Sequence, residues 1–446
     1  MEVNVKKLIC LLLSFLLIFS LTACAKKDNN DAGSKNNGNN TSQNTDDKES
    51  KDTNGTDKSD EAKEPLNVWV RNSYYEQLSR AAEIFTEQTG IPVKITEPSN
   101  MSDDLSLALS SGKTPDIVSI DCVLIPYYAS IGALEDITSQ FNNLEFKDSF
   151  TGGLLDLAKY QENQYAVPFA PDVSVLLYNK DIFEAAGLDP EKPPTTWAEL
   201  IEYGQKCSSD DTYGYIYTGG YAGGMMFTFA PYIWSNGGEF TSSDGTQSML
   251  DTEEAKEALQ LFVDMVHEYK ITPESITSYD WTACLDAFKS GKAAMIVLGA
   301  RPVGEIVNDT YDFKAGCGLI PSPDGTTYSS FSGGDSMAIL ANSDKKDDAW
   351  KFIEFCLSEE FQVGELVTFG NIPARTDLFD NEHYEGHKEY QVLREALKVG
   401  QAPYSLKYNE MYAPWLDAIQ FAINKEKTVD QALADAKAEI DAILAD

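Results

Sequence analysis

Basic residues are scarce in this chain: 35 lysines and arginines stand against 71 aspartates and glutamates, a formal net charge of −36. An acidic surface is repelled by nucleic acid and by an anionic membrane face, so both are excluded as partners. Histidine is scarcer still, with His267, His383 and His387 alone. The last two are four apart, as metal ligands on a helix are, but Gly386 lies between them and the glutamate spacing of zinc proteases is missing. They read as a solvated surface pair, and no metal or cofactor is expected. Also missing are a G-x-S-x-G nucleophile turn, a phosphate-binding G-x-x-x-x-G-K-[ST] and a dinucleotide-binding G-x-G-x-x-G. No catalytic residue is therefore assigned, and an enzyme is not the expected class. With 71 acidic residues a glycosidase-type carboxylate pair is always on offer, so that signal has no specificity.

Paired cysteines are lacking too. Beyond Cys10 and Cys24 near the N-terminus, Cys122, Cys207, Cys284, Cys317 and Cys356 are odd in number and widely spaced, which gives no disulfide framework. They read as small buried hydrophobes, with one bridged pair left open. From residue 25 to residue 64 there is no branched aliphatic or aromatic side chain at all. Such a segment cannot bury enough apolar surface to offset its ordering entropy and is expected to be a disordered tether. Its root-mean-square reach would be roughly 35 Å.

What precedes the tether has the order of an export signal. Lys6 and Lys7 supply positive charge, residues 8–21 are almost unbroken apolar, and Leu21-Thr22-Ala23-Cys24 matches the bacterial lipobox in residue type and spacing. The apolar run is short for a permanent membrane span but suits a secretory signal. The expected product is a lipoprotein: signal peptide 1–23, lipidated Cys24 opening a tether over 24–65, and a body outside the cytoplasm. The membrane would be reached through the lipid anchor only, at the extracytoplasmic face of the cell membrane, most simply in a single-membrane bacterium.

The body, from about residue 66 to residue 446, is long for one core and is read as two lobes of one unit. Strands are expected at 66–70, 93–96, 116–120, 173–178, 293–298 and 336–340. Helices are expected at 75–89, 102–111, 181–186, 252–269, 281–289, 347–357 and 412–444, with Thr195 or Thr196 capping one more. Gly90, Gly112, Gly187 and Gly291 stand at helix ends. Strands alternating with helices indicate the α/β class with a mostly parallel sheet.

Aromatic chemistry is abundant, with 6 Trp, 22 Tyr and 21 Phe. Trp69, Tyr74, Tyr127, Tyr221, Trp234, Trp281, Tyr412 and Trp415 are read as lying at strand ends or in Gly/Pro-rich loops and not on helix core faces. A site for a sugar wants flat aromatic surfaces for C–H faces beside Asp, Asn, Glu and Arg groups for hydroxyls. The run Gly219-Gly220-Tyr221-Ala222-Gly223-Gly224 opens no clear helix after a strand and is read as a flexible cleft wall.

The segments IFTEQTGIPVKI, SGKTPDIVSID, YAVPFAPDVSVLLYNKDIFEAAGL, PPTTWAEL, WSNGGEF, AFKSGKAAMIVLG, GGDSMAIL, AWKFIEFCLSEEFQ and GNIPARTDLF follow one another in an order that resembles the extracellular solute-binding proteins of carbohydrate ABC importers. This is the maltose-binding-protein-like family, and the closing TVDQALADAKAEI is similar as well. The resemblance implies a periplasmic-binding-protein type II fold of two α/β lobes. Crossover hinge strands would lie near 171–178 and 333–340, with a first lobe over 66–171 and 334–376 and a second over 172–333 and 377–446. It implies a carbohydrate ligand in the interlobe cleft, delivery to the transmembrane permease subunits of an ABC importer, and a monomer.

Carried over residue by residue, the resemblance implies ligand contacts from Asn72 and Tyr74 after the first strand and Asp121 at the C-terminal end of the third. Asp172 stands at the first crossover, and Gly334 and Asp335 at the second. Trp234 and Trp281 are implied as stacking surfaces, with Tyr412 and Trp415 contributed by the C-terminal helices. Arg301 stands where relatives often carry tryptophan, which replaces a platform by a hydroxyl or carboxylate clamp. Arg375 is read as a structural ion-pair member. Alternatives kept open are a binding protein of this fold for a polyamine, peptide or metal complex, and a secreted carbohydrate-active enzyme.

Overall fold

The computed structural model describes residues 63–150 and 152–445. The signal peptide 1–23, the lipidation site Cys24 and nearly all of the tether 24–65 therefore lie outside the described residues. The first strand, Leu66–Val70, alternates buried and half-buried positions. Its chain then turns into the helix Tyr75–Thr89, which ends where Gly90 takes the left-handed φ of 70°. Val93–Thr96 and Ile117–Asp121 pair parallel with Leu66–Val70 on either side, each reached through a helix.

Two sheets carry the body. The six-stranded sheet adds Ser330–Ile339, antiparallel to both Ile117–Asp121 and Val167–Val173, with Gly400–Gln401 at its margin. The four-stranded sheet runs in the order Ala315–Gly318, Val175–Asn179, Ala293–Leu298, Tyr213–Ile216. Its first two pairings are antiparallel and its last is parallel. The sheets are thus mixed, not mostly parallel, because the chain crosses between them and returns in the opposite sense. The expected single strand 173–178 is divided at Ser174, between a strand of one sheet and a strand of the other. Ser174 holds the junction: its Oγ accepts from the Phe331 N–H at 2.8 Å, and Ser330 Oγ donates to its carbonyl at 2.8 Å.

Each sheet has its own apolar core. Leu66, Val68, Phe85, Ile117, Phe169, Met337, Phe352 and Phe361 belong to one. Leu176, Tyr215, Phe229, Phe262, Ile296, Phe379 and Trp415 belong to the other. Local signals agree with this packing. Thr196 forms a full capping box with Glu199 at the start of Trp197–Cys207.

The expected helix over 412–444 is two helices, Tyr412–Ile423 and Val429–Ala445, with Lys425 in a left-handed turn between them (φ 59°). The helix Ala222–Ser235 has no amphipathic signature, since every residue from Gly224 to Ser235 is buried. All five cysteines of the body are buried and unbridged. Among the described residues no helix is long and apolar enough to cross a membrane.

Candidate functional site

A cleft of about 570 Å³ opens where the two sheets meet. Its floor is the pair of crossovers, represented by Pro171, Asp172, Gly333 and Gly334. Gly334 has a φ of +107°, and a Cβ there would lie 2.2 Å from the Ala170 carbonyl oxygen, so no other residue fits. One wall comes from loops at the C-terminal ends of strands Leu66–Val70 and Ile117–Asp121, the edge where open α/β sheets hold ligands. The other wall comes from the starts of three helices, Ala222–Ser235, Trp281–Lys289 and Arg301–Val307, and from Tyr408 and Tyr412.

Arg71 is the polar centre of the first wall. One of its amino groups donates to Asp121 Oδ2 at 3.0 Å and the other pairs with Asp335. Burial works against the Arg71 charge, yet Asp335 and Asp121 outweigh it and hold the guanidinium above its ordinary pKa. Asp335 is itself buried and takes a further hydrogen bond from Ser119 Oγ at 2.9 Å. Burial raises the Asp335 pKa against the opposing pull of Arg71. Asp172 sits on the floor with Oδ1 accepting the Ala300 N–H at 2.7 Å. Burial pushes it up to about 6, opposed by the N–H groups of Ala300 and Val173 and by the charges of Arg71 and Arg301. The neighbouring strand end is glycine, and a Cβ on Gly299 would lie 2.5 Å from Asp172 Oδ2 and displace that carboxylate.

Aromatic surface faces these groups. Trp281 is half-buried and braced edge-on by Phe227, with ring centroids 5.5 Å apart. Phe227 in turn packs on Phe331 at 5.1 Å. Tyr412 packs edge-on against Tyr408 at 5.2 Å. The combination offers flat apolar faces, one carboxylate on the floor, and Arg301, which has no ion-pair partner among the described residues.

Of the residues expected from the sequence, Tyr74, Asp121, Asp172, Trp281, Arg301, Gly334 and Tyr412 line this cleft. Asn72 does not. It is turned outward by the short 3₁₀ turn Asn72–Tyr74, where its Nδ2 donates to Glu97 Oε1 at 2.9 Å. Arg71, the residue before it, takes the inward position. Asp335 lies beneath the surface and acts through Arg71.

Trp234 is a correction. It is buried in the second core and stacked on Phe331 at 6.2 Å, so it supports a cleft residue without reaching the cleft. Trp415 is likewise core, wedged between Phe229 and Phe240. The glycine-rich run is also corrected. It links strand Tyr213–Ile216 to helix Ala222–Ser235, and its glycines are places of close packing, not of freedom. A Cβ at Gly219 would meet the Ile276 carbonyl at 2.5 Å, and one at Gly224 would meet Thr218 Oγ1 at 2.5 Å. Arg375 pairs with Asp377 and lies 3.9 Å over the Phe146 ring, away from the cleft.

Residues the sequence reading missed include Arg71, Gln77, Phe227, Phe331, Asn371 and Tyr408. Arg71 was within reach, because the strand-end rule that selects Asp121 selects it equally. Phe227 was not, since its helix shows no face.

The sequence profile described as bacterial extracellular solute-binding protein matches residues 69–363. A binding protein of Brucella abortus is 26% identical over 377 residues, which is 83% of this chain and 90% of that one. Among solved structures, an ABC transporter solute-binding protein of Thermotoga lettingae bound to α-D-tagatose superimposes with a TM-score of 0.75 at 25% identity, covering 86% of this chain and 100% of that one. The cyclic α-maltosyl-1,6-maltose binding protein of Arthrobacter globiformis gives a TM-score of 0.75 at 25% identity, covering 85% and 98%.

Proposed function

Because the chain belongs to the bacterial extracellular solute-binding protein family, we propose that it captures a mono- or oligosaccharide in the cleft and delivers it to the membrane subunits of an ABC importer. The observation that carries this reading is the meeting, in one cleft, of aromatic faces with carboxylate and guanidinium groups drawn from both sheets. Each pyranose presents both C–H faces and a rim of hydroxyls, and this lining answers both. Relatives of the same fold bound to tagatose or named for a cyclic maltosyl-maltose support it.

The lobes in this reading are 66–171 with 334–376, and 172–333 with 377–446; around the last boundary the chain passes between the cores, Leu366 and Ala374 packing in the first and Val367, Ile372 and Phe379 in the second. A ligand touching both lobes binds the closed arrangement better than the open one and shifts the population toward closure. No catalysis is part of this role. The receptor works as a monomer, lipidated at Cys24 and held by its tether near the importer, on the outer face of a single-membrane cell.

A cationic solute is the competing reading, since Asp121, Asp172 and Glu305 all line the cleft. The charges argue against it. Arg71 occupies Asp121, Lys289 pairs with Glu305 at 2.8 Å, and Arg301 lines the same cleft as Asp172 and would repel a cation there. Thermal-shift screening against mono- and oligosaccharides, spermidine and short peptides separates the readings. A sugar at a hundred times its dissociation constant adds about 2.7 kcal/mol of stability, seen as a clear rise in melting temperature. A rise with spermidine and none with any sugar overturns the proposal.

A further inference from the structure

The wall opposite Arg71 carries a second aromatic surface. Tyr221 lines the cleft yet is 55% exposed. It is the N-cap residue of the helix Ala222–Ser235 but makes no side-chain capping bond, so its ring is not spent on holding that helix. The ring lies back over Gly223, where a Cβ would be 3.0 Å from its outer atoms. The side chain keeps more than half of its surface open while lining the cleft.

The backbone before it is held in place. The Gly220 N–H donates to the Tyr279 carbonyl at 2.9 Å, and Gln420 Nε2 donates to the Gly219 carbonyl at 2.9 Å. Tyr279 stands two residues before Trp281, so the same backbone bond ties the two aromatic positions to one wall. Trp281 is the more buried of the two and Tyr221 the outer.

We propose that Tyr221 is the platform of an outer subsite, so that the ligand is an oligosaccharide whose first ring rests near Trp281 and whose next ring covers Tyr221. This rests on the carbohydrate reading above. The cleft volume of about 570 Å³ agrees, being more than one pyranose fills. A tyrosine has only two side-chain torsions to fix, so covering it with a sugar costs little entropy.

Calorimetric titration of the full chain with glucose, maltose and maltotriose, and with N-acetylglucosamine and diacetylchitobiose, tests it. Within a series that binds, the longer sugars bind more tightly than the monosaccharide. Tyr221→Ala weakens the longer sugars roughly tenfold and the monosaccharide by a clearly smaller factor, while Tyr221→Phe behaves as the parent chain. If monosaccharide and oligosaccharide bind equally, or lose equally with Tyr221→Ala, the subsite is wrong while carbohydrate binding stands. If no sugar produces heat, the carbohydrate reading fails and takes the subsite with it.

Discussion

Replacing Arg71 by alanine is expected to lower the unfolding free energy by about 3–5 kcal/mol, because it leaves the buried Asp335 carboxylate without its counter-charge. The effect carries a pH signature. With Arg71 gone, burial and the Asp121 charge act on Asp335 against the Ser119 hydrogen bond alone, and its folded pKa then stands further above the unfolded value. A group raised in this way binds a proton more readily in the folded chain, so stability is retained below the unfolded pKa and lost as pH rises through the folded one. The deficit of Arg71→Ala relative to the parent is therefore larger at pH 8 than at pH 5. Adding Asp335→Asn removes the stranded charge and recovers most of the loss. Urea unfolding at the two pH values reads all of this. A deficit under about 1 kcal/mol, equal at both pH values, would show that the Asp121–Arg71–Asp335 cluster does not hold the cleft wall.

Asp172→Asn is expected to act in the opposite sense on stability. The folded pKa of about 6 exceeds the ordinary carboxylate value of 3.8, so the charged form is disfavoured by burial. Its cost is present above about pH 6 and disappears as pH falls toward the unfolded pKa. The amide keeps an acceptor for the Ala300 N–H and removes the charge, which raises the unfolding free energy at pH 7.5 by about 1–3 kcal/mol and leaves it unchanged near pH 4. Ligand affinity falls at the same time, by about 1.5–3 kcal/mol, because a charge-assisted hydrogen bond to the solute is lost. For the same reason the parent chain binds less tightly as pH drops through about 6. Denaturation and calorimetry on one preparation give both quantities. A variant that is less stable at pH 7.5 with unchanged affinity would remove Asp172 from the floor of the site.

The architecture was largely legible because its elements are locally marked. The expected ranges 75–89, 281–289 and 293–298 coincide with Tyr75–Thr89, Trp281–Lys289 and Ala293–Leu298. Each is fixed by apolar period and by a flanking glycine or cap. The sheet order was less legible. Whether Ser330–Ile339 pairs parallel or antiparallel depends on contacts across more than 150 residues, as at Ser174 and Ser330. Strand-end logic brought Asp121 to the cleft, and the family resemblance brought the crossover residues Asp172 and Gly334. It could not tell Trp281 from Trp234, because both stand beside turn-forming residues. What separates them is the helix Ala222–Ser235, apolar on all sides and without a periodic signal, which carries Trp234 inward against Phe331. Asn72 missed the cleft by one residue, the step by which a 3₁₀ turn exchanges outward for inward.

The central claim is that a sugar bridges the two lobes and draws them together. Small-angle X-ray scattering of the chain, with and without the sugar that raises its melting temperature most, measures this directly. The radius of gyration should fall and reach its limit at one equivalent of sugar. A sugar that saturates the protein at one equivalent while the radius of gyration stays unchanged would contradict it.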